Sequence, residues 1–377
     1  MFELEQQLSC SAVASGRTRA ESADDPEMEL STTNLLDSET AARLLHCSPE
    51  NVRGLCRRGS LPGQRVAGRW LIPAEAVHDS HWSGDLRVGA NMDLIAEARD
   101  FGADMNRQVL DLREVEVSLE SQINPWLYGM IFLTRPSDED ISVEEAAVIA
   151  DLGRGFRLKA GKYRNEFGLL NTVHEPERPQ VSLPLPVEEF LGEEQLRETA
   201  VTLGRLTDLG NGYRAGISGA VFNSDNAAAF DAGQSGDKAF GGKLYFGRQA
   251  SDTAYQLGLS ALTGKNDTVG TTDIQALDFR VLLEPEFARG YDYPARFSWM
   301  GEVLFNQREI APGVSNNANG AWTLVDYQFK PAHHLGAGAE YTQGRLDKSL
   351  TSRAYSAHYS WYYSPHARLQ VQAGASS

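Results

Sequence analysis

Residues 114–120 read Glu114-Val115-Glu116-Val117-Ser118-Leu119-Glu120, and residues 156–161 read Phe156-Arg157-Leu158-Lys159-Ala160-Gly161. Apolar and polar side chains alternate in both. A β-strand turns successive side chains to opposite faces, so this rhythm makes one apolar and one polar face. Trp126, Tyr128, Met130 and Phe132 keep the same period. So do segments at 198–206, 212–222, 239–248, 253–262, 273–283, 295–306, 321–330, 335–343, 352–363 and 366–374. Turn-rich stretches separate them, such as Asp208-Leu209-Gly210-Asn211-Gly212 and Ser315-Asn316-Asn317-Ala318-Asn319-Gly320. Alternating segments of roughly ten residues, with short turns on one side and longer loops on the other, are the pattern of a transmembrane β-barrel. One face of each strand then meets lipid and the other a polar lumen. A soluble β-sandwich also alternates, but the segments are too many for one sandwich. Arg157, Lys159, Lys162 and Arg164 would also fall in its core. Trp299, Trp322, Tyr327, Phe329 and the run Tyr359 to Tyr363 lie near segment ends, where aromatic girdles form at bilayer interfaces.

Before Asp85 the pattern is different. The chain has 377 residues, enough for two domains. Its net charge is −16 but unevenly spread: residues 1–32 hold two Arg against seven acids, and residues 33–80 hold six Arg against five. Within 33–80, Asp37 or Ser38 can cap a short helix carrying Ala41, Ala42, Leu44 and Leu45 as an apolar face. Ser48-Pro49 opens a second helix, with Ser48 as cap and Pro49 at the first position, where its missing N–H costs nothing. Val52, Leu55 and Cys56 share one face of that helix; Asn51, Arg53, Arg57 and Arg58 lie largely on others. Gly59 ends it. Arg65 to Pro73 reads as a two-stranded wing turning at Gly68, and Ala74 to Val77 as a third helix. Residues 1–32 read as a disordered tail, and they contain no apolar run of the kind a secretory signal requires. No run of about 18 apolar residues marks a membrane-crossing helix. Three Cys are too few for a disulfide framework.

Residues 33–80 resemble the excisionase and MerR-like winged helix-turn-helix family. The carrying motifs are Ala41-Ala42-x-Leu44-Leu45, Ser48-Pro49-x-x-Val52-Arg53, Arg58-Gly59-x-Leu61-Pro62 and Val66-x-Gly68-Arg69-Trp70-x-Ile72-Pro73. The resemblance implies that the second helix enters the major groove of double-stranded DNA, with Asn51 and Arg53 facing bases. Arg57, Arg58, Arg65 and Arg69 would contact phosphates, beside the helix cap Ser48. Gly54 stands where the family has a bulky aromatic and loosens the helix by about 1 kcal/mol.

Residues 108–205 resemble porin-like outer-membrane proteins of Gram-negative bacteria, near the phosphate-selective porins and the zinc-regulated TonB-dependent outer-membrane receptors. The strongest motif is Lys159-Ala160-Gly161-Lys162-Tyr163-Arg164-x-x-Phe167-Gly168-x-x-Asn171-x-x-His174. It is supported by Asn124-Pro125-Trp126, Val143-Glu144-Glu145-Ala146 and Phe190-Leu191-Gly192-Glu193-Glu194. The resemblance implies a pore in outer-membrane lipid for small polar solutes, and a homo-trimer as in porins.

The expected architecture is therefore mainly β: an antiparallel transmembrane-type barrel of about 14–16 strands over residues 81–377, preceded by a small winged helix-turn-helix. A truncated or incompletely closed barrel stays open as an alternative, because the last strand stops without the usual terminal aromatic. Arg157, Lys159, Lys162 and Arg164 are pore-lining candidates that would attract anions; pairing with Glu114, Glu116, Glu144 and Glu145 is the favoured alternative. His174 with Glu175 and Glu177 lacks standard ligand spacing, and Cys47 and Cys56, near His46, fall where the helix-turn-helix motif takes small apolar core residues and read as buried thiols, so no metal or cofactor is expected. His333-His334 reads as a solvated strand-joining turn. No Gly-x-Ser-x-Gly, phosphate-binding loop or His-Glu-x-x-His occurs, so no enzyme is expected. Two other readings stay open: a cytoplasmic DNA-binding regulator with a β-rich C-terminal part, and a gene fusion without joint function.

Overall fold

A computed structural model describes residues 35–45, 49–58, 61–66, 69–78, 86–100, 106–124, 126–136, 140–230, 237–266, 270–285, 295–364 and 367–377. The expected tail over 1–32, the cap Ser48, the His46-Cys47 pair and the turn glycines Gly59 and Gly68 lie outside them.

The N-terminal module runs β1 (Leu35–Asp37), α1 (Ser38–Leu44), α2 (Pro49–Arg58), β2 (Gln64–Val66), β3 (Arg69–Pro73) and α3 (Ala74–His78). Asp37 is the cap of α1 and its carboxylate accepts the Thr40 backbone N–H at 2.7 Å. The expected hairpin β2–β3 is joined by a third antiparallel strand, β1, in the order β1-β3-β2. Three residues are too few to show a period, so this strand was not legible. Ala41, Ala42, Val52, Leu55, Cys56, Leu61, Ile72 and Val77 form the core. Burying a large aliphatic side chain stabilises by roughly 1.5–3 kcal/mol, so these residues set the module's stability. Leu44 does not join them. It is 45% exposed, because Ala41 and Ala42 already define the inner face of this short helix. Cys56 is a buried free thiol, and burial pushes its pKa up.

The rest of the described chain is one antiparallel meander. Its strands are β4 (Arg87–Asp100), β5 (Asn106–Asn124), β6 (Leu127–Pro136), β7 (Ser142–Gly153), β8 (Phe156–Arg164), β9 (Arg197–Gly210) and β10 (Tyr213–Asn223). They continue with β11 (Lys238–Gln249), β12 (Thr253–Lys265), β13 (Thr271–Leu283), β14 (Phe297–Ala311), β15 (Val314–Lys330), β16 (His333–Gln343), β17 (Thr351–Ser364) and β18 (Ala367–Ser376). Each strand pairs with the next in a single 15-stranded sheet, and β4 and β18 are its two unpaired edges. No helix among the described residues is long and apolar enough to cross a membrane.

Alternation sorts this sheet as expected on its outer face. Val201 and Leu203, Leu244 and Phe246, Leu257 and Leu259, Val303 and Phe305 are all exposed at period two. Leaving so much apolar surface in contact with water is unfavourable, whereas a lipid-facing wall requires it. Trp299, Tyr327, Phe329, Trp361 and Tyr363 cluster on this face near the short turns, in edge-on and stacked ring contacts. Trp322 is an exception to the expected girdle. It falls on the inward parity of β15 and is only 3% exposed. Gly155 shows why the short turns need glycine: its φ is +80°, and an added Cβ would lie 2.1 Å from the Leu206 carbonyl oxygen.

Two expected turns are strand instead. Ser315 to Gly320 belongs to β15, with Asn316, Ala318 and Gly320 inward; the turn is at Gly313. Asn316 donates to the Gly344 and Arg345 carbonyl oxygens at 3.0 Å, so its polarity serves a buried contact. His333 and His334 lie in β16, and His334 is fully buried with Nδ1 2.6 Å from Asp326 Oδ1. His358 Nε2 meets the other oxygen of the same carboxylate at 3.0 Å.

The interior is not the uniformly polar lumen that alternation suggests. Residues 165–196, between β8 and β9, fold inward and carry a 3-10 turn (Glu175–Glu177) and α4 (Leu185–Leu191). A second inward piece, α5 (Ala227–Phe230), follows β10. Phe167, Leu170, Val187, Phe190, Leu191 and Phe230 pack against inward Phe222, Leu262, Ile274, Leu304 and Leu324. On these strands the inner face therefore mixes apolar side chains with buried Asp278, Glu302, Asn306 and Arg308.

Candidate functional site: a loop folded into the barrel

The motif Lys159 to His174 is the root of the inward loop. Gly168 has φ +56°, and an added Cβ would lie 2.6 Å from Glu302 Oε1. That close approach lets the buried Glu302, on β14, accept the backbone N–H groups of Leu169 and, at 3.3 Å, Leu170. Its other oxygen accepts Trp322 Nε1–H at 2.9 Å. Asn171 closes the root by donating to the carbonyl oxygens of Asn165 (2.7 Å) and Leu196 (3.1 Å) while accepting Leu196 N–H (2.7 Å). Farther along, Leu185 N–H donates to Glu340 of β16 at 2.9 Å. Residues 178–182 run along the inner face of β18. Arg368 donates to Arg178 O, Gln370 to Pro179 O, and Gln372 accepts Val181 N–H at 2.8 Å. From the opposite edge, Arg113 of β5 donates to Val181 O at 3.0 Å and pairs with Asp93 of β4.

A charged cluster lies between the loop root and β5, β7 and β8. A β-bulge starts it: Phe132 faces Glu145 while Leu133 faces Val143, so Glu144 is the extra residue. Both Glu144 and Glu145 therefore turn inward and are buried. Arg164 donates to Glu144 Oε1 at 2.5 Å and to Gln195 at 2.6 Å. Arg197 stands 3.3 Å from the same Glu144 oxygen. His174 enters from the loop, its ring against Phe132 with centroids 4.9 Å apart. Nδ1 lies 2.9 Å from Glu116 Oε2, and Nε2 lies 3.2 Å from Glu145 Oε1. Burial works against charge on this imidazole, but Glu116 and Glu145 outweigh it and lift the His174 pKa to about 10.

Of the four basic pore-lining candidates, Arg164 is buried and held as above. Lys159 is half-buried, 3.9 Å from Glu145 and 4.1 Å over the Tyr163 ring. Arg157 is half-buried and stands across the ladder from Asp151. Lys162 is exposed and borders a cavity of about 700 Å³ beside α4. The cavity wall also carries Glu188, Glu189, Glu193, Glu194, Glu198 and Asp225, against two further cations, Arg197 and Arg345. Sequence reasoning missed Glu302, the acidic cavity and the approach of Glu116 to His174. No local signal could have found them, since each joins residues from separate strands.

In the N-terminal module, Arg53 reaches back to α1, with NH2 2.9 Å from Glu39 Oε1 and Nε 3.2 Å from Ser38 Oγ. Arg57 is exposed, and its Nε donates to Arg53 O at 3.2 Å. Arg65 and Arg69 are exposed on the wing. Val66 pairs with Arg69 and Arg65 with Trp70, so the two arginines take opposite faces of the hairpin. Asn51 and Arg58 lie on α2; Ser48 is outside the described residues.

A helix-turn-helix domain family matches residues 35–80. An uncharacterized protein of Aquifex aeolicus is 40% identical over 85 residues, 22% of this chain and 18% of that protein. Among solved structures, OprB of Pseudomonas putida superposes with TM-score 0.53 at 8% identity, over 77% of this chain and 89% of its own. The trimer form of OmpT, an outer membrane protein of Vibrio cholerae, gives 0.52 at 10% identity, over 78% and 88%. An anion-selective porin from Comamonas acidovorans gives 0.51 at 11% identity, over 77% and 89%. At such identities the likeness is one of fold. Together with the helix-turn-helix match at residues 35–80, it makes the chain a helix-turn-helix module joined to a porin-like antiparallel β-barrel.

Proposed function

We propose that the barrel passes small polar solutes across an outer membrane and favours cationic or neutral ones over anions. The observation that carries this reading is the inverted wall, apolar outside and charged inside, narrowed by residues 165–196. The charge preference rests on the cavity beside α4, where six carboxylates face three cations. Such an excess concentrates cations at a pore mouth and repels anions. Of the basic candidates Lys162 is already one of the three cations, and Arg164 and Lys159 are engaged by Glu144 and Glu145. A trimer is the assembly expected for such a barrel.

The test is single-channel recording of the full chain in a planar bilayer under a salt gradient. A reversal potential of the cation-selective sign is expected, moving toward zero in Glu188→Gln/Glu189→Gln. A protein that inserts without conductance steps, or one selective for anions, would overturn the reading.

A second reading concerns residues 35–80 and rests on the family match together with exposed Arg57, Arg65 and Arg69. This module binds double-stranded DNA, α2 being its groove element and the wing arginines its phosphate contacts. In a gel shift with full-length protein, Arg57→Ala and Arg69→Ala should each weaken binding and flatten its salt dependence. Equal affinity in all variants would remove this assignment.

A further inference from the structure

We propose that Glu116, Glu144 and His174 form a site for one divalent first-row transition cation, such as Zn²⁺, that pins the inward loop to the barrel wall. Three buried atoms carry the argument: Glu116 Oε2, Glu144 Oε2 and His174 Nδ1. None makes a well-directed hydrogen bond, the close approach of His174 Nδ1 to Glu116 being an ion pair of poor hydrogen-bond angle, and all lie within 4.8 Å of one another. His174 Nδ1 is 2.9 Å from Glu116 Oε2 and 3.8 Å from Glu144 Oε2. An ion bound at about 2.0–2.2 Å from nitrogen and oxygen ligands holds them roughly 3–4 Å apart, so only small shifts close the site. Buried polar atoms left without partners are costly, and three converging on one point mark a place for a cation.

The surroundings already arrange these donors. Glu145 Oε1, 3.2 Å from His174 Nε2, takes that N–H, so Nδ1 is the ring atom that turns toward Glu116 and Glu144, and the incoming cation displaces its proton to solvent. A carboxylate behind a histidine ligand is the usual support at metal centres. Arg164 and Arg197 occupy Glu144 Oε1 and leave Oε2 for the ion. The bulge in β7 exists at Glu144 itself, and without the extra residue this carboxylate would point outward. Two carboxylates and one imidazole match the charge and donor preference of Zn²⁺, Mn²⁺ or Fe²⁺. His174 belongs to the loop, and the two glutamates belong to β5 and β7. The ion therefore joins the loop to two strands, and its binding energy adds to the stability of that attachment.

Full-length protein folded in detergent and stripped with EDTA is titrated with Zn²⁺ by calorimetry. His174→Ala and Glu116→Gln should each lose one saturable equivalent, which separates this site from any other in the chain. Glu145→Gln should retain it with affinity about 10- to 100-fold weaker. Zinc should raise the temperature of heat-induced mobility change in the unaltered protein but not in His174→Ala. If those variants do not fold, the unaltered protein still decides. Its zinc absorption edge should report nitrogen and oxygen ligands including imidazole, and EDTA should lower its unfolding temperature. Zinc stoichiometry identical in the unaltered, His174→Ala and Glu116→Gln proteins overturns the proposal. Absence of saturable zinc binding in the unaltered protein does so too, leaving His174 in an ion pair only.

Discussion

The helix-turn-helix module keeps its large aliphatic side chains inside, whereas the barrel wall keeps them outside. Ile72, Val52 and Leu55 are buried in the first, while Leu257, Leu259 and Phe305 are exposed in the second. Their compositions overlap; the position of each residue within the local period decides which way it faces. A 3.6-residue stripe closes on itself in water, and a two-residue stripe in a wide curled sheet must be closed by lipid. One chain thus carries two opposite solvent requirements.

Breaking each half at its apolar face gives the largest effects. Ile72→Ala should destabilise the module by about 2–5 kcal/mol, measured by its thermal transition, and leave the barrel's heat-modifiable migration unchanged. A single shared transition would mean that the halves do not unfold separately. Leu259→Arg, at the centre of β12, should weaken folding into vesicles by about 2–4 kcal/mol while leaving the module's transition in place. An effect of the same size in detergent-free buffer would point to a water-facing wall.

Glu302→Ala sharpens the contrast from within. It strips partners from the Leu169 and Leu170 amides and from the Trp322 ring N–H, at about 1–3 kcal/mol, and should raise single-channel conductance by loosening the loop. Conductance equal to that of the unaltered protein would show that the loop does not set the bore.

The smallest effect is one of pH. Hydrogen bonds from Thr40 hold the Asp37 carboxyl below the usual carboxylate range. The carboxylate's contribution is full above about pH 4 and is lost as pH falls through its lowered folded value. The module's transition temperature should drop over that acid range, and Asp37→Asn should remove the dependence. A fall that persists in Asp37→Asn would assign it to another group.

Strand and helix positions were largely legible, because burial writes a period into each element. The 3.6-residue stripe of α2 and the alternation of β9 to β18 came through with only shifted ends. What failed was information carried between elements. Asn316 to Asn319 look like a turn by composition, but β16 and the 344–345 backbone supply their partners from outside the segment. In sequence His174 stands beside Glu175 and Glu177, whereas in the fold its ring nitrogens meet Glu116 of β5 and Glu145 of β7. The motif from Lys159 to His174 stood out in sequence, and it proves to be the hinge that carries the loop inward. Its partners Glu302 and Ser260 lie on β14 and β12, too distant in the chain for any local pattern to join them.

An odd number of strands in an alternating meander leaves the first and last running the same way. Strands β4 and β18 therefore cannot meet in the antiparallel ladder that joins every other neighbouring pair in this sheet. What spans the two margins is a row of side-chain links: Asp93 and Arg113 on one side, Arg368, Gln370 and Gln372 on the other, with residues 178–182 as the strap. Side-chain links yield more easily than a backbone ladder. Tension on this wall would therefore be released sideways, as a slit along β4 and β18, before the axial bore widened.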